Sequence, residues 1–233
     1  GNEYLEAMVG AYRARVAPFN VNYRYVEEEL LYLLADSNAK ALVYAAEFAP
    51  QVQAIRGRLP NLTVLIQVAD GSGNELLPDA VDYESVTATT EPDGGMPAPC
   101  GDDLYILYTG GTTGMPKGVL WRQHDIFMNA MGGKEVGTWI EVTSSEEIAE
   151  KTRNNAGFRL MTLPPLMLGA AQWAGFMMLN AGSTLIMPTS HHLDATEVWN
   201  LIERGQAQSV TGVGDAMARP LLADPDFVRK SAA

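Results

Sequence analysis

Short, uninterrupted apolar runs alternate with helical patterns along most of the chain. The runs KALVYA (40–45), TVLIQV (63–68) and LYILY (104–108) show little polar alternation. Such runs are typical of parallel strands that are buried on both faces. Parallel strands that alternate with helices build an α/β fold. The sequence therefore predicts an α/β fold with layered, mostly parallel sheets flanked by helices.

The segments between these runs carry helix signals. The first 16 residues are amphipathic, and a second helix has one apolar face, formed by Val26, Leu30, Leu31, Leu33 and Leu34. Ser144 with Glu147 forms a capping-box pattern, and Asp194 is a typical N-cap residue, so a helix is expected after each. Further helices are expected at 52–59, 124–131, 166–181 and 214–224, and further strands at 118–121, 183–188 and 208–213.

Residues 70–102 are rich in glycine, proline and acidic residues. They predict a surface excursion with a short helix at 83–86, although a domain boundary would give the same composition. We predict one partial domain over 1–233, with sub-layers at 1–100 and 101–233.

The acidic charge of the chain disfavours negatively charged binding partners. The formal net charge is −12, which disfavours binding to nucleic acid and to anionic membranes. The single cysteine, Cys100, excludes an internal disulfide and fits a cytoplasmic location.

No charged residue lies between 160 and 190, but Pro164, Pro165, Gly182 and Pro188 interrupt this run. We therefore predict a buried helix and a strand there, and no membrane span.

The sequence YTGGTTGMPKGV (108–119) follows the third apolar run. Glycines let the backbone approach a ligand closely, and successive amides can form an anion site. Threonine hydroxyls add donors, and Lys117 adds a positive charge that no residue back to Asp103 neutralises. The loop is a candidate polyphosphate clamp. The alternative is a glycine-rich hairpin loop with a solvated lysine.

Two standard phosphate motifs do not fit this loop. In the Walker pattern a glycine precedes the lysine, whereas Pro116 precedes Lys117 and Gly118 follows it. The dinucleotide pattern G-x-G-x-x-G is also absent. A generic phosphohydrolase is disfavoured, because no metal-ligand cluster or general base accompanies the loop. His191 and His192 are adjacent with only Asp194 near, so no metal site is predicted.

Residues 109–118 resemble the phosphate-binding loop of the adenylate-forming superfamily, in which a Ser or Thr and a Ser or Gly precede G-T-T-G-x-P-K-G. This superfamily includes acyl-CoA synthetases, luciferases and nonribosomal peptide adenylation domains. Residues 2–34 are similar to the early region of fatty-acyl-CoA synthetases, and residues 107–127 and 169–182 resemble the branch that acts on medium, long or bulky acyl groups. The likeness covers nearly the whole chain.

The resemblance implies a ligase of lipid metabolism that uses ATP, Mg²⁺ and coenzyme A. A carboxylic acid would attack ATP to give an acyl-adenylate, and CoA would then displace AMP. Lys117 and Thr113 would be the catalytic residues. The loop would bind the β- and γ-phosphates through Thr109, Gly110, Gly111, Thr112, Thr113, Gly114 and Lys117.

The segment LPPLMLGAAQW (163–173) departs from the family pattern, which is near P-L-x-H-G. Leu168 stands at the usual histidine position and cannot hydrogen-bond a carboxylate. The resemblance places the acyl pocket here, so Leu168, Gln172, Trp173, Val213 and Gly214 are candidate substrate-binding residues. For Gln172 and Trp173, ordinary core packing is the alternative. His124 is expected to be a surface residue at a helix start.

The 233 residues lack the family's adenine motif, ribose-binding Asp, Arg-Asp hinge and C-terminal lysine domain. We therefore expect an internal piece of the large N-terminal domain that is inactive alone. The alternative hypothesis is a non-catalytic, truncated relative that acts as a nucleotide- or acyl-binding module. The sequence leaves open which acid is activated, what precedes or follows the chain, and whether it forms a homodimer.

Overall fold

The computed structural model describes residues 1–89, 95–110, 114–135, 137–154, 157–190, 192–224 and 227. The chain divides into two compact units, Asn2–Trp121 and Arg122–Ala233. The sub-layers proposed at 1–100 and 101–233 stay a prediction.

The first unit alternates helices and strands as the sequence predicts. Its elements are α1 (Asn2–Arg13), α2 (Glu27–Asp36), β1 (Ala41–Ala45), α3 (Ala49–Ile55), β2 (Val64–Val68), β3 (Ala80–Asp82), α4 (Tyr83–Thr89), β4 (Leu104–Thr109) and β5 (Lys117–Arg122). Single 3₁₀ turns at Ala46–Phe48 and Arg56–Arg58 flank α3. Strand β3 was not predicted, because it is short and lies in the glycine-rich excursion.

A three-stranded parallel sheet, in the order β1-β2-β3, forms the centre of this unit. Helices α2 and α3 contribute Leu34, Val52 and Ile55 to a core that includes Leu42 of β1 and Leu65 of β2. The exposed and buried residues alternate along β1 and β2, and Val43 and Val64 are exposed. The prediction that these strands are buried on both faces is therefore wrong, since the core covers one face.

Strands β4 and β5 form a separate two-stranded sheet. The predicted return strand is thus confirmed. Strand β4 carries buried Tyr105, Leu107 and Tyr108, whereas β5 exposes Val119 and Leu120.

The second unit contains α5 (Gln123–Ala130), α6 (Ser145–Asn154), β6 (Arg159–Thr162), α7 (Gly169–Asn180), β7 (Thr184–Ile186), α8 (Ala195–Gly205), β8 (Ser209–Thr211) and α9 (Asp215–Ala223). The three strands form a parallel sheet in the order β7-β6-β8. Central β6 was not predicted, although Leu160, Met161 and Thr162 are all buried as a central strand requires.

The predicted helix caps form in the second unit. The Asp194 side chain accepts hydrogen bonds from the amides of Thr196 and Glu197 at the start of α8. The Ser144 hydroxyl accepts from the Glu147 amide at the start of α6, whereas the Glu147 carboxylate accepts from the Thr143 amide and hydroxyl, so half of the predicted capping box forms. The uncharged stretch forms α7, which has 12 residues. Among the described residues, no helix has the length and apolar character needed to cross a bilayer.

Candidate functional site

The glycine- and threonine-rich loop connects the carboxyl end of β4 to the start of β5. Thr109 is the last residue of β4 and Lys117 is the first of β5, and both are exposed. Gly111, Thr112 and Thr113 lie outside the described residues, so the predicted roles of these three stay predictions. Thr109 and Lys117, which flank these residues, lie at the ends of two paired strands.

Two glycines of the loop are needed for different physical reasons. Gly114 has a φ of 100°, in the left-handed region that other residues rarely adopt. Gly118 is needed for close packing, because a Cβ there would lie 3.0 Å from Ile106 Cγ2 and 3.1 Å from Tyr108 Cζ. The motif therefore fixes one backbone turn and one contact between β5 and β4.

Tyr108, the residue before Thr109, is held by the side chain of Asn20. The Tyr108 amide donates to Asn20 Oδ1 at 2.8 Å, and Asn20 Nδ2 donates to the Tyr108 carbonyl at 3.1 Å. Asn20 is 6% exposed and Tyr108 is 7% exposed, so these bonds are shielded from water. The end of β4 is thus fixed immediately before the loop begins.

The Tyr108 side chain is fixed as well. Its hydroxyl donates to Asp36 Oδ2 at 2.7 Å, and its ring meets the Phe19 ring edge-on with centroids 5.7 Å apart. Burial raises the pKa of the Tyr108 hydroxyl, and the hydrogen bond to Asp36 raises it further. Tyr108 therefore remains a neutral donor at physiological pH.

Lys117 has its charge available for a ligand. Its side chain is exposed, and none of the residues that the structure describes forms an ion pair with it. The adjacent Pro116 is buried, which anchors the start of β5. An anchored backbone with an unneutralised ammonium group and a nearby threonine can bind an anion such as a polyphosphate.

In the second unit, the other candidates follow the carboxyl ends of β6 and β8. The Leu163 amide donates to the Thr211 carbonyl at 3.1 Å, which joins the segments leaving these two strands. A Cβ at Gly212 would lie 3.8 Å from Leu163 Cδ1. In parallel sheets this edge is the usual place for ligands.

Leu168 is the N-cap residue of α7, and 42% of it is exposed. Its carbonyl accepts from the amides of Ala171 and Gln172, but its side chain caps nothing. Gln172 is fully buried and Trp173 is half-buried. The burial of Gln172 fits its alternative interpretation as a core residue, and the role of Trp173 in substrate binding stays a prediction.

Val213 and Gly214 lie between β8 and α9. Val213 is 53% exposed. Gly214 has a φ of 70° and a ψ of 178°, a conformation essentially restricted to glycine. The strained turn presents Val213 at the same sheet edge from which the Leu163–Leu168 segment leaves, so the structure brings these two groups of candidates to one edge.

In the part of the chain that the structure describes, no group of three or more His, Cys, Asp or Glu side chains could hold a metal ion. His124 is exposed in the first turn of α5, as expected, and His192 is exposed. His191 lies outside the described residues. A Mg²⁺ ion that accompanies ATP takes most of its ligands from phosphate and water, so it needs no such cage.

Asn20 and Asp36 were missed by the sequence reasoning, although both hold Tyr108. The available signal was weak. Asn20 stands between Phe19 and Val21 in a segment without charge, and an amide in such a position must find partners when it is buried. Nothing local indicates that its partner is Tyr108.

The chain matches a family model and several known proteins. The family model described as AMP-binding enzyme matches residues 1–232. The chain is 57% identical over 96% of its length to the medium-chain acyl-CoA ligase Mig of Mycobacterium avium, covering 41% of that protein. It is 35% identical over 94% of its length to a 3-oxocholest-4-en-26-oate–CoA ligase of Rhodococcus rhodochrous, covering 40% of that protein.

Solved structures show the same fold. An anthranilate CoA ligase, AuaEII, in complex with anthranoyl-AMP matches 98% of this chain with a TM-score of 0.76 at 19% identity, over 41% of its own length. This chain thus spans about two fifths of the proteins it matches. The family match over nearly every residue and the close curated relatives show that the chain belongs to the AMP-binding enzyme family.

Proposed function

We propose that this protein is an ATP-dependent acyl-CoA synthetase that activates a medium-chain or bulky carboxylic acid. In the first step a carboxylate oxygen attacks the α-phosphorus of ATP, an acyl-adenylate forms and pyrophosphate leaves. In the second step the CoA thiol attacks the acyl carbon, AMP leaves, and the thiol proton passes to solvent. The names of the curated relatives support the substrate class.

The observation that carries this proposal is the anchored stem of the loop, formed by the end of β4 at 108–109 and by residues 116–118 at the start of β5. Negative charge develops on the departing pyrophosphate, and preorganised donors that face this charge stabilise the transition state. Lys117 offers an ammonium group at the start of β5 that pairs with no acidic residue in the described ranges, and Thr109 offers a hydroxyl at the end of β4. We propose that residues 110–114 of the loop bind the β- and γ-phosphates. Within this range the Thr113 hydroxyl is a further donor.

We propose that the acid enters at the carboxyl edge of the β7-β6-β8 sheet. Leu168 and Val213 are partly exposed apolar residues that leave this edge, and Trp173 lies one turn into α7. Apolar linings of this kind suit a hydrocarbon chain or a fused ring system. Because Leu168 offers no side-chain donor, the carboxylate of the acid must be oriented by other groups. A cytoplasmic location and a homodimer remain predictions from the sequence.

Lys117→Ala tests the proposal in a protein that carries the 233 residues together with the family's adenine and C-terminal lysine motifs. Loss of one charge-assisted hydrogen bond costs about 1.5–3 kcal/mol, so kcat/KM for ATP should fall about 10- to 150-fold. Acid-dependent exchange between ATP and labelled pyrophosphate measures this change. Binding of the acid, measured without ATP, should be unaffected.

Lys40→Ala is the matched control, because Lys40 is also an exposed lysine of the first unit. It should leave the exchange rate unchanged. ATP dependence that is unaltered in Lys117→Ala would contradict the role of Lys117. Binding of ATP and acid by the unmodified protein without any turnover would instead support a non-catalytic binding module. We propose that the 233 residues alone give no exchange.

A further inference from the structure

Residues 18–20, which precede α2, run beside β4 and pair with it at one isolated bridge. The Ile106 amide donates to the Pro18 carbonyl at 3.0 Å, and Phe19 pairs with Ile106 in parallel. The next ladder position on β4 is Tyr108, and there the backbone pairing is replaced by the Asn20 side chain.

The Asn20 amide acts on Tyr108 as a peptide group of a neighbouring strand would. Its oxygen accepts from the Tyr108 amide and its nitrogen donates to the Tyr108 carbonyl, at 2.8 and 3.1 Å. Only a primary amide offers a donor and an acceptor at this spacing from one short side chain. The pair is buried, so removal of the side chain takes these partners from a shielded amide and carbonyl, which is costly.

Tyr108 contacts both ends of the loop. It is bonded covalently to Thr109, and its ring packs against Gly118, the residue after Lys117, with ring atoms 3.1 and 3.3 Å from where a Cβ of Gly118 would be. A shift of Tyr108 would therefore move Thr109 directly and β5 through the Gly118 contact. Thr109 and Lys117, the two exposed residues proposed to bind the phosphates, are therefore both supported by Tyr108.

We propose that Asn20 is a positioning residue for the nucleotide: by holding Tyr108 it sets the separation between Thr109 and Lys117 that a polyphosphate requires. This inference rests on the proposed function. Asn20 touches no reacting atom and acts through the stem of the loop. Misplacement of a binding group by about 1 Å can cost on the order of 100-fold in rate.

Asn20→Leu tests the role, because leucine has a similar size but neither donor nor acceptor. In the longer protein used for Lys117→Ala, the KM for ATP should rise about 10- to 100-fold, while the KM for the acid stays unchanged. Hydrogen exchange of a peptide that covers 104–110 should become faster, which reports directly on the stem. Asn20→Ala is the second variant, to be used if the leucine variant does not fold. It should give the same ATP-specific change.

Gln67→Met is the matched control. Gln67 is a buried amide of the same unit, which accepts from the Tyr44 hydroxyl and the Leu77 amide and donates to the Glu75 carbonyl. Its replacement should lower the urea midpoint in the same way as the Asn20 variants but leave the KM for ATP unchanged.

The outcomes separate this inference from the proposed function. An unmodified enzyme that does not use ATP contradicts both. An unmodified enzyme that uses ATP, with Asn20 variants whose KM for ATP is unchanged, contradicts the positioning role alone. Equal changes in the KM values for ATP and acid, or an ATP effect in Gln67→Met as well, would show that Asn20 only stabilises the fold.

Discussion

Gly118→Ala should destabilise the first unit, although it adds a single methyl group to an exposed backbone position. The new Cβ would lie 3.0 Å from Ile106 Cγ2 and 3.1 and 3.3 Å from two atoms of the Tyr108 ring. Ordinary carbon contacts are about 3.5–4.0 Å, so either the ring or β5 must move.

The ring cannot move without breaking other contacts. Asn20 holds the Tyr108 backbone, Asp36 accepts from its hydroxyl, and Phe19 packs against the ring. Overpacking of a constrained site typically costs about 1–3 kcal/mol. For a chain of this size, each kcal/mol lowers the melting temperature by about 2–4 °C, which gives a decrease of about 2–12 °C.

Urea unfolding followed by tryptophan fluorescence measures the effect, since Trp121 lies on β5 close to the substitution. Gly110→Ala is the control, because a Cβ there would meet none of the described residues within 4 Å. The control should change the free energy of unfolding by less than about 0.5 kcal/mol. If both variants are as stable as the unmodified chain, Tyr108 is not fixed and the description of the stem is wrong.

Two further predictions concern the second unit. The hydrogen bond from Lys151, followed by those from Thr143, lowers the pKa of Glu147 from 4.5 to about 2. Because the pKa is lower in the folded state, this stabilisation is present above pH 4.5 and is lost as the pH falls toward 2. Thermal melting followed by circular dichroism should therefore depend less on pH between 4.5 and 2 in Glu147→Gln, and an equal dependence would refute the assignment. Trp173→Ala in the complete enzyme should shift the kcat/KM preference toward longer or bulkier acids, whereas Trp199→Ala, a control on α8, should not; unchanged selectivity in Trp173→Ala favours core packing.

Local patterns were sufficient to predict most elements of the fold. Apolar runs located β1, β2 and β4, and the Asp194 cap located α8, because each signal depends on neighbouring residues only. Strands β6 and β3 were missed. Strand β6 begins with a charged Arg159 and β3 lies in the glycine-rich excursion, so neither forms an apolar run, whereas the equally short β7 lies in one.

The main error about packing was the prediction that strands β1 and β2 are buried on both faces. An apolar run indicates a strand, but which face is covered depends on elements distant in sequence. In β1, Leu42 faces the core formed with α2 and α3, whereas Val43 is exposed. The loop at the candidate site was recognisable from its own residues. Its support was not, because Asn20 and Asp36 are brought to Tyr108 only by the tertiary fold.

The stem of the loop has a consequence for the order of folding. Asn20 and Tyr108 are 88 residues apart, as are Arg15 and Asp103, which form a bidentate ion pair at the start of β4. Closing a segment of this length costs roughly 4 kcal/mol of chain entropy, and contacts so distant in sequence slow folding. If the loop binds a nucleotide as proposed, this affinity should therefore appear late during folding, when residues 1–20 have returned to β4, and a chain that has formed only its local elements should not yet bind ATP.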